Sequence, residues 1–141
     1  MRIIKIKRFK SENGAVVVIV ALSIVALMMV TALTIDVGSL YEERRYLQTV
    51  ADAAALAGAQ QLPESPSGAE AKAIEYAEMH GVTSDNIEVD FDYTYGTLID
   101  TIIVTAKNPE SPLYFARVMG KDSSPVAAQA TAIVASPQEY V

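Results

Sequence analysis

The chain has 141 residues, a net charge of −6 and no cysteine. That length suits one small domain with an appendage. The missing thiols exclude a disulfide frame and a thiolate metal site, and the acidic balance argues against nucleic-acid binding, which needs a basic footprint. Hydrophobic residues make up 51% of the chain, and they are concentrated near its N-terminus.

Residues 1–13 carry Arg2, Lys5, Lys7, Arg8 and Lys10 against Glu12. From Ala15 to Ile35 there is no charge and no proline, and only Ser23, Thr31 and Thr34 are polar. Twelve of those positions are Val, Ile or Leu, worth about 4 to 7 kcal/mol towards insertion. At about 1.5 Å per residue the stretch covers about 31 Å as a helix, the thickness of a bilayer's hydrocarbon core. A buried core helix is disfavoured because the rest of the chain is too short and polar to surround it. A cleaved signal peptide is the stronger rival, with Val30-Thr31-Ala32 as a cleavage site, but its apolar run is normally shorter. The sequence therefore predicts a basic cytoplasmic segment at 1–13 and a transmembrane helix at 14–36. Beyond the span, six basic residues face sixteen acidic ones. That asymmetry sets the N-terminus inside and the C-terminal region outside.

The helix is expected to continue. Residues 37–61 contain no proline and are rich in good helix formers, with Asp36 and Gly38 marking the exit from the bilayer. Leu40, Leu47, Ala51, Ala54 and Gly58 share one helical face. Arg45, Gln48 and Asp52 lie on another, where Gln48 and Asp52 form an i,i+4 pair. Ala51, Ala55 and Ala59 make one small-residue row, and Ala54 with Gly58 makes a second; such rows allow close helix approach. They would serve equally for packing on the chain's own domain and for packing on another molecule.

Pro63, Pro66 and Gly68 place a linker at 62–68. An extracytoplasmic module at 69–135 follows, and a loose tail at 136–141. In the module, Ser67 and Glu70 read as a capping box for a helix at about 68–80, with Gly81 at its C′ position. Strict alternation at 87–95 (Ile87, Val89, Phe91, Tyr93, Tyr95 inward) predicts a half-wet strand, and Gly96 suits a turn. Residues 98–106 are apolar on both faces and read as a central strand. Ser111-Pro112 resembles an N-cap with proline at N1, opening a short helix to Met119 closed by Gly120. Alanine-rich 126–134 is the third strand. The fold class is α+β: a long pilin-like N-terminal transmembrane helix, then an α-β-β-α-β module with a three-stranded mixed or antiparallel sheet.

Chemistry is sparse. His80 is the only histidine, and its place near a helix C-terminus suits its partial charge. No second His or any Cys completes a nucleophilic pair or a zinc site. Glu88, Asp90 and Asp92 share a strand face that reads as solvated and only weakly as a cation site. No enzyme, cofactor or metal is expected.

The informative stretch is Asp36-Val37-Gly38, Tyr41, Arg45-Tyr46-Leu47-Gln48 and Ala51-Asp52-Ala53-Ala54-Ala55-Leu56-Ala57, directly after an apolar span. It resembles the TadE/TadG-like family of Flp (tight-adherence) pilus-assembly proteins over about 13–60. The rest is more loosely similar, notably at Tyr114-Phe115-Ala116-Arg117-Val118-Met119-Gly120. The resemblance implies a membrane-anchored, non-enzymatic pilus-assembly or secretion component of the bacterial envelope. Its partners would be the membrane and other pilus-assembly or pilin-like proteins. The residues carrying that role would be Asp36, Gly38, Tyr41, Arg45, Leu47, Gln48, Ala51, Asp52, Ala54, Ala55 and Gly58. Two alternatives stand beside it: a pilin-like subunit that self-associates into an extracellular filament, and a ligand- or cation-binding envelope module. Related pseudopilins are cut after a glycine, with Glu at the fifth mature position. Gly14-Ala15 offers a candidate processing site, but the fifth position is Ile19, which favours a permanent anchor.

Overall fold

A computed structural model describes residues 12–94 and 98–134. The basic N-terminal segment, Tyr95 and Gly96 of the expected strand and turn, and the C-terminal tail lie outside the described residues. One unbroken helix, α1 (Glu12–Ala59), is followed by α2 (Pro66–Met79) and the strands β1 (Ile87–Asp92), β2 (Thr101–Pro112) and β3 (Ser123–Ile133). The sheet is antiparallel throughout, in the order β1-β2-β3, so β2 is central as its two-faced apolarity predicts.

The two ends of α1 live in different surroundings. From Gly14 to Ile35 every side chain is exposed except half-buried Ala32. From Asp36 onward one face is buried. This is the described helix long and apolar enough to cross a membrane. Bare Val, Leu, Ile and Met side chains along its whole circumference are tolerable in lipid and costly in water.

The outer half of α1 and α2 cover one face of the sheet. Alternation along the strands builds that face in rows: Ile87, Ala106 and Ala128; Val89, Val104 and Ala130; Phe91, Ile102 and Ala132. The row members on β2 and β3 are buried. Alanines on β3 and on both helices bring the backbones close, so the core is filled by a few large side chains, chiefly Leu47, Val50, Ile102 and Val104.

Several local signals land elsewhere than the sequence places them. The cap of α2 is Ser65, not Ser67: the Gly68 N–H donates to Ser65 Oγ at 3.1 Å, and Pro66 takes the first helical position. The connection between α1 and α2 runs over residues 60–65. The C-terminus of α2 follows expectation. Gly81 is left-handed (φ +88°), its N–H donates to Glu78 O at 2.9 Å, and Val82 N–H donates to Ala77 O at 3.0 Å. That is a Schellman closure, with Val82 buried beneath it.

Ser111-Pro112 does not open a helix. Both residues extend β2, pairing with Ser124 and Ser123 beyond a bulge between Asn108 and Ser111. Pro109 falls within the bulge, where a missing N–H breaks no ladder. The expected second helix of the module shrinks to a 3-10 turn at Ala116–Met119, closed by Gly120 (φ +81°) as anticipated.

Candidate functional site

The sequence concentrates its family-like residues on α1, and the structure sorts them onto two opposite faces. At 100° per residue, Asp36, Leu47, Ala51, Ala54, Ala55 and Gly58 gather on one side, and all are buried. The packing is close at Gly58. A Cβ there would sit 2.5 Å from Ile102 Cδ1, 2.8 Å from the Ala69 carbonyl oxygen and 3.3 Å from Ala73 Cβ. Both small-residue rows are therefore filled by the chain's own sheet and α2, and no surface remains on them for another molecule.

Gly38, Tyr41, Arg45 and Asp52 lie on the opposite side, and they are exposed. Leu56 joins them, 64% exposed, with Tyr41 at 72%. Among the described residues nothing outside its own helix turn and chain neighbours lies within 4 Å of a Cβ at Gly38. Gln48 sits at the seam between the faces. Its Nε2 donates to Asp52 Oδ1 at 3.0 Å, the expected i,i+4 pair, and to the Gln129 carbonyl of β3 at 3.1 Å.

Other bonds fix α1 against the module at stated heights. The Tyr46 hydroxyl donates to the His80 carbonyl, which gives His80 a structural setting at the end of α2. Asn108 Nδ2 donates to Glu43 Oε1 at 2.7 Å. Lowest is Asp36. Its Oδ1 accepts from the N–H of Tyr114 at 2.8 Å and of Phe115 at 3.0 Å, and its Oδ2 accepts from Ala116 N–H at 2.7 Å. One buried carboxylate thus caps three consecutive backbone donors at the entry to the 3-10 turn. Sequence reading takes Asp36 as the marker of the bilayer exit. Its partners lie some eighty residues away, and no local pattern reveals them.

The acidic face of β1 does not assemble a cation cage. Glu88 is paired with Lys107 of β2, and Asp92 Oδ1 accepts from Tyr93 N–H at 2.7 Å. Among the described residues there is no group of three or more His, Cys, Asp or Glu side chains placed to hold a metal ion. A cleft of about 210 Å³ between α1 and the end of β2 is lined by Glu42, Glu43, Tyr46 and Ser111 among others. The Ser111 hydroxyl is buried without a hydrogen-bond partner among the described residues. Gly14 and Ala15 lie inside the exposed first turns of α1.

Residues 14–61 match a family model described as "Putative Flp pilus-assembly TadE/G-like". The matched segment coincides with the membrane-length span and the two-faced outer helix, and ends two residues beyond α1. The match spans 48 residues, about a third of the chain, and marks what that segment is similar to. No curated protein and no solved structure matches the chain.

Proposed function

We propose that this chain is a membrane-anchored, non-enzymatic component of a Flp/Tad-type pilus-assembly or secretion apparatus. The first half of α1 anchors it, with residues 1–13 in the cytoplasm and the module at 69–135 outside, as the charge asymmetry directs. The observation that carries the reading is the division of α1. Its inner face is consumed by the module, while Gly38, Tyr41, Arg45, Asp52 and Leu56 stay unclaimed on the outer face of the same family-matched segment. A helix surface with an exposed Tyr, Arg and Leu suits a protein partner, since aromatic and Arg side chains anchor interfaces. The partner class is another pilus-assembly or pilin-like protein.

Photo-crosslinking amino acids placed at Tyr41 and Leu56 in cells producing the whole apparatus test this. Crosslinks from both positions to other assembly components are expected. Absence of any protein adduct at both, with the chain still folded in the membrane, sinks the proposal.

A second reading, a pilin-like filament subunit, draws on the unbroken helix and the glycine at its start. N-terminal sequencing separates the two. Met1 supports the permanent anchor, and Ala15 in sheared surface filaments supports the subunit. A terminus at Leu33 means a secreted protein and overturns both.

A further inference from the structure

We infer that the tip of the β2–β3 hairpin is a second membrane contact, an apolar turn seated in the interfacial layer of the bilayer beside the point where α1 leaves it. The inference rests on the reading of α1 as a transmembrane anchor.

Three contacts fix the direction in which the hairpin runs. Gln129 of β3 meets Gln48, Asn108 of β2 meets Glu43, and residues 114–116 meet Asp36. From Gln48 to Asp36 the helix falls about 18 Å towards the apolar span, and the hairpin descends beside it. After Ala116 comes the apex, and Leu113 N–H donating to Asp122 O at 2.9 Å marks the return. The tip therefore lies at the level of Asp36 or below it. Ala32, one turn lower, is the half-buried residue in an otherwise exposed span.

The composition of the tip suits that depth. Val118 and Met119 are each 90% exposed, Tyr114 60% and Phe115 45%. Arg117 and Lys121 are exposed beside them, with Arg117 paired to Asp122 at 3.1 Å, which leaves Lys121 as the basic residue of the turn outside that pair. Apolar and aromatic side chains next to basic ones are the mixture that lies at a headgroup boundary.

The backbone is prepared for lipid as well. Polar groups entering the hydrocarbon edge must be satisfied from within the protein. Asp36 accepts from the N–H groups of Tyr114, Phe115 and Ala116. Those of Val118, Gly120 and Lys121 donate to carbonyls of the turn itself at 3.0–3.1 Å. A buried carboxylate at the end of an apolar span thereby gains a purpose: it seals the donors of the element placed next to the lipid.

The native chain has no cysteine, so single labels are unambiguous. Val118→Cys, Leu27→Cys and Glu64→Cys, each carrying an environment-sensitive fluorophore, are compared in the full chain reconstituted in phosphatidylcholine vesicles. At 118 we expect a blue shift and loss of emission with lipid brominated near the headgroup end of its acyl chains. At 27 deep bromines quench most, and at 64 none do. A label at 118 that behaves like the one at 64, while 27 is quenched, overturns the inference and leaves the anchor standing. A blue shift at 118 without quenching means that protein covers the tip, and overturns it too. No quenching at 27 removes the anchor and this inference together.

Discussion

Replacing Gly58 by alanine adds one methyl group at a close contact between α1 and the module. The new Cβ meets the Ala69 carbonyl oxygen at 2.8 Å and Ile102 Cδ1 at 2.5 Å, with Ala73 Cβ at 3.3 Å on the remaining side. Ile102 can rotate only within a closed core, and the carbonyl belongs to α2, so a backbone must move. Overpacking of this kind costs about 1–3 kcal/mol. Alanine recovers about 1 kcal/mol of helix propensity. Two contacts below any normal separation put the cost in the upper part of that range, about 2–3 kcal/mol, so the balance is a net loss of about 1–2 kcal/mol. For a module of this size that lowers Tm by roughly 4–16 °C. Gly38→Ala is the control: with open space around it, it carries no penalty and up to about 1 kcal/mol of propensity. The assay is thermal unfolding of the detergent-solubilised chain, followed by near-ultraviolet circular dichroism of its tyrosines. An unchanged or raised Tm for Gly58→Ala refutes the packing argument. If partner crosslinking were lost at unchanged Tm, Gly58 would face another molecule instead of its own core.

Asp36→Ala leaves three backbone donors unsealed. Given about 1.5–3 kcal/mol for a hydrogen bond to a charged group, and incomplete additivity, the local cost is about 3 kcal/mol. Hydrogen exchange should then run roughly a hundredfold faster at amides 114–116. Asp36→Asn keeps one acceptor oxygen and should fall between; equal exchange in all three proteins contradicts the assignment. Ser111→Ala removes a buried hydroxyl that has no partner among the described residues and should raise stability by about 1 kcal/mol. A lowered Tm would show that this hydroxyl is hydrogen-bonded after all.

The elements legible in the sequence are those whose cause is local. The charge-free run to Ile35, the alternation of Ile87, Val89 and Phe91, and Gly81 as a left-handed helix stop each follow from residues a few positions apart, and each stands in the structure. Ser111-Pro112 failed for the complementary reason. Read locally it is a helix start, yet Ser124 and Ser123 pair with it from across a hairpin, beyond the bulge that holds Pro109. Ser67 lost the cap to Ser65, which stands directly before the proline. The small-residue face of α1 is visible in the sequence, but periodicity says only that a face is close-packed; the fold brings Ile102 and Ala69 against it. The outer face was half legible: Arg45 and Asp52 were separated from the apolar stripe, while the exposure of Tyr41 and Leu56 needed the fold. Asp36 was found as a position and missed as a role.

One unbroken helix supplies both the membrane span and part of the module's core, so nothing between the two acts as a hinge. In the anchored arrangement proposed above, the helix from Asp36 to Ala59 stands about 35 Å above the bilayer edge. A tilt of about 20°, common for single spans, carries its far end about 12 Å sideways. Any partner that gathers the spans or straightens them therefore swings the module as a lever, and conversely a load on the module is felt as a torque within the bilayer.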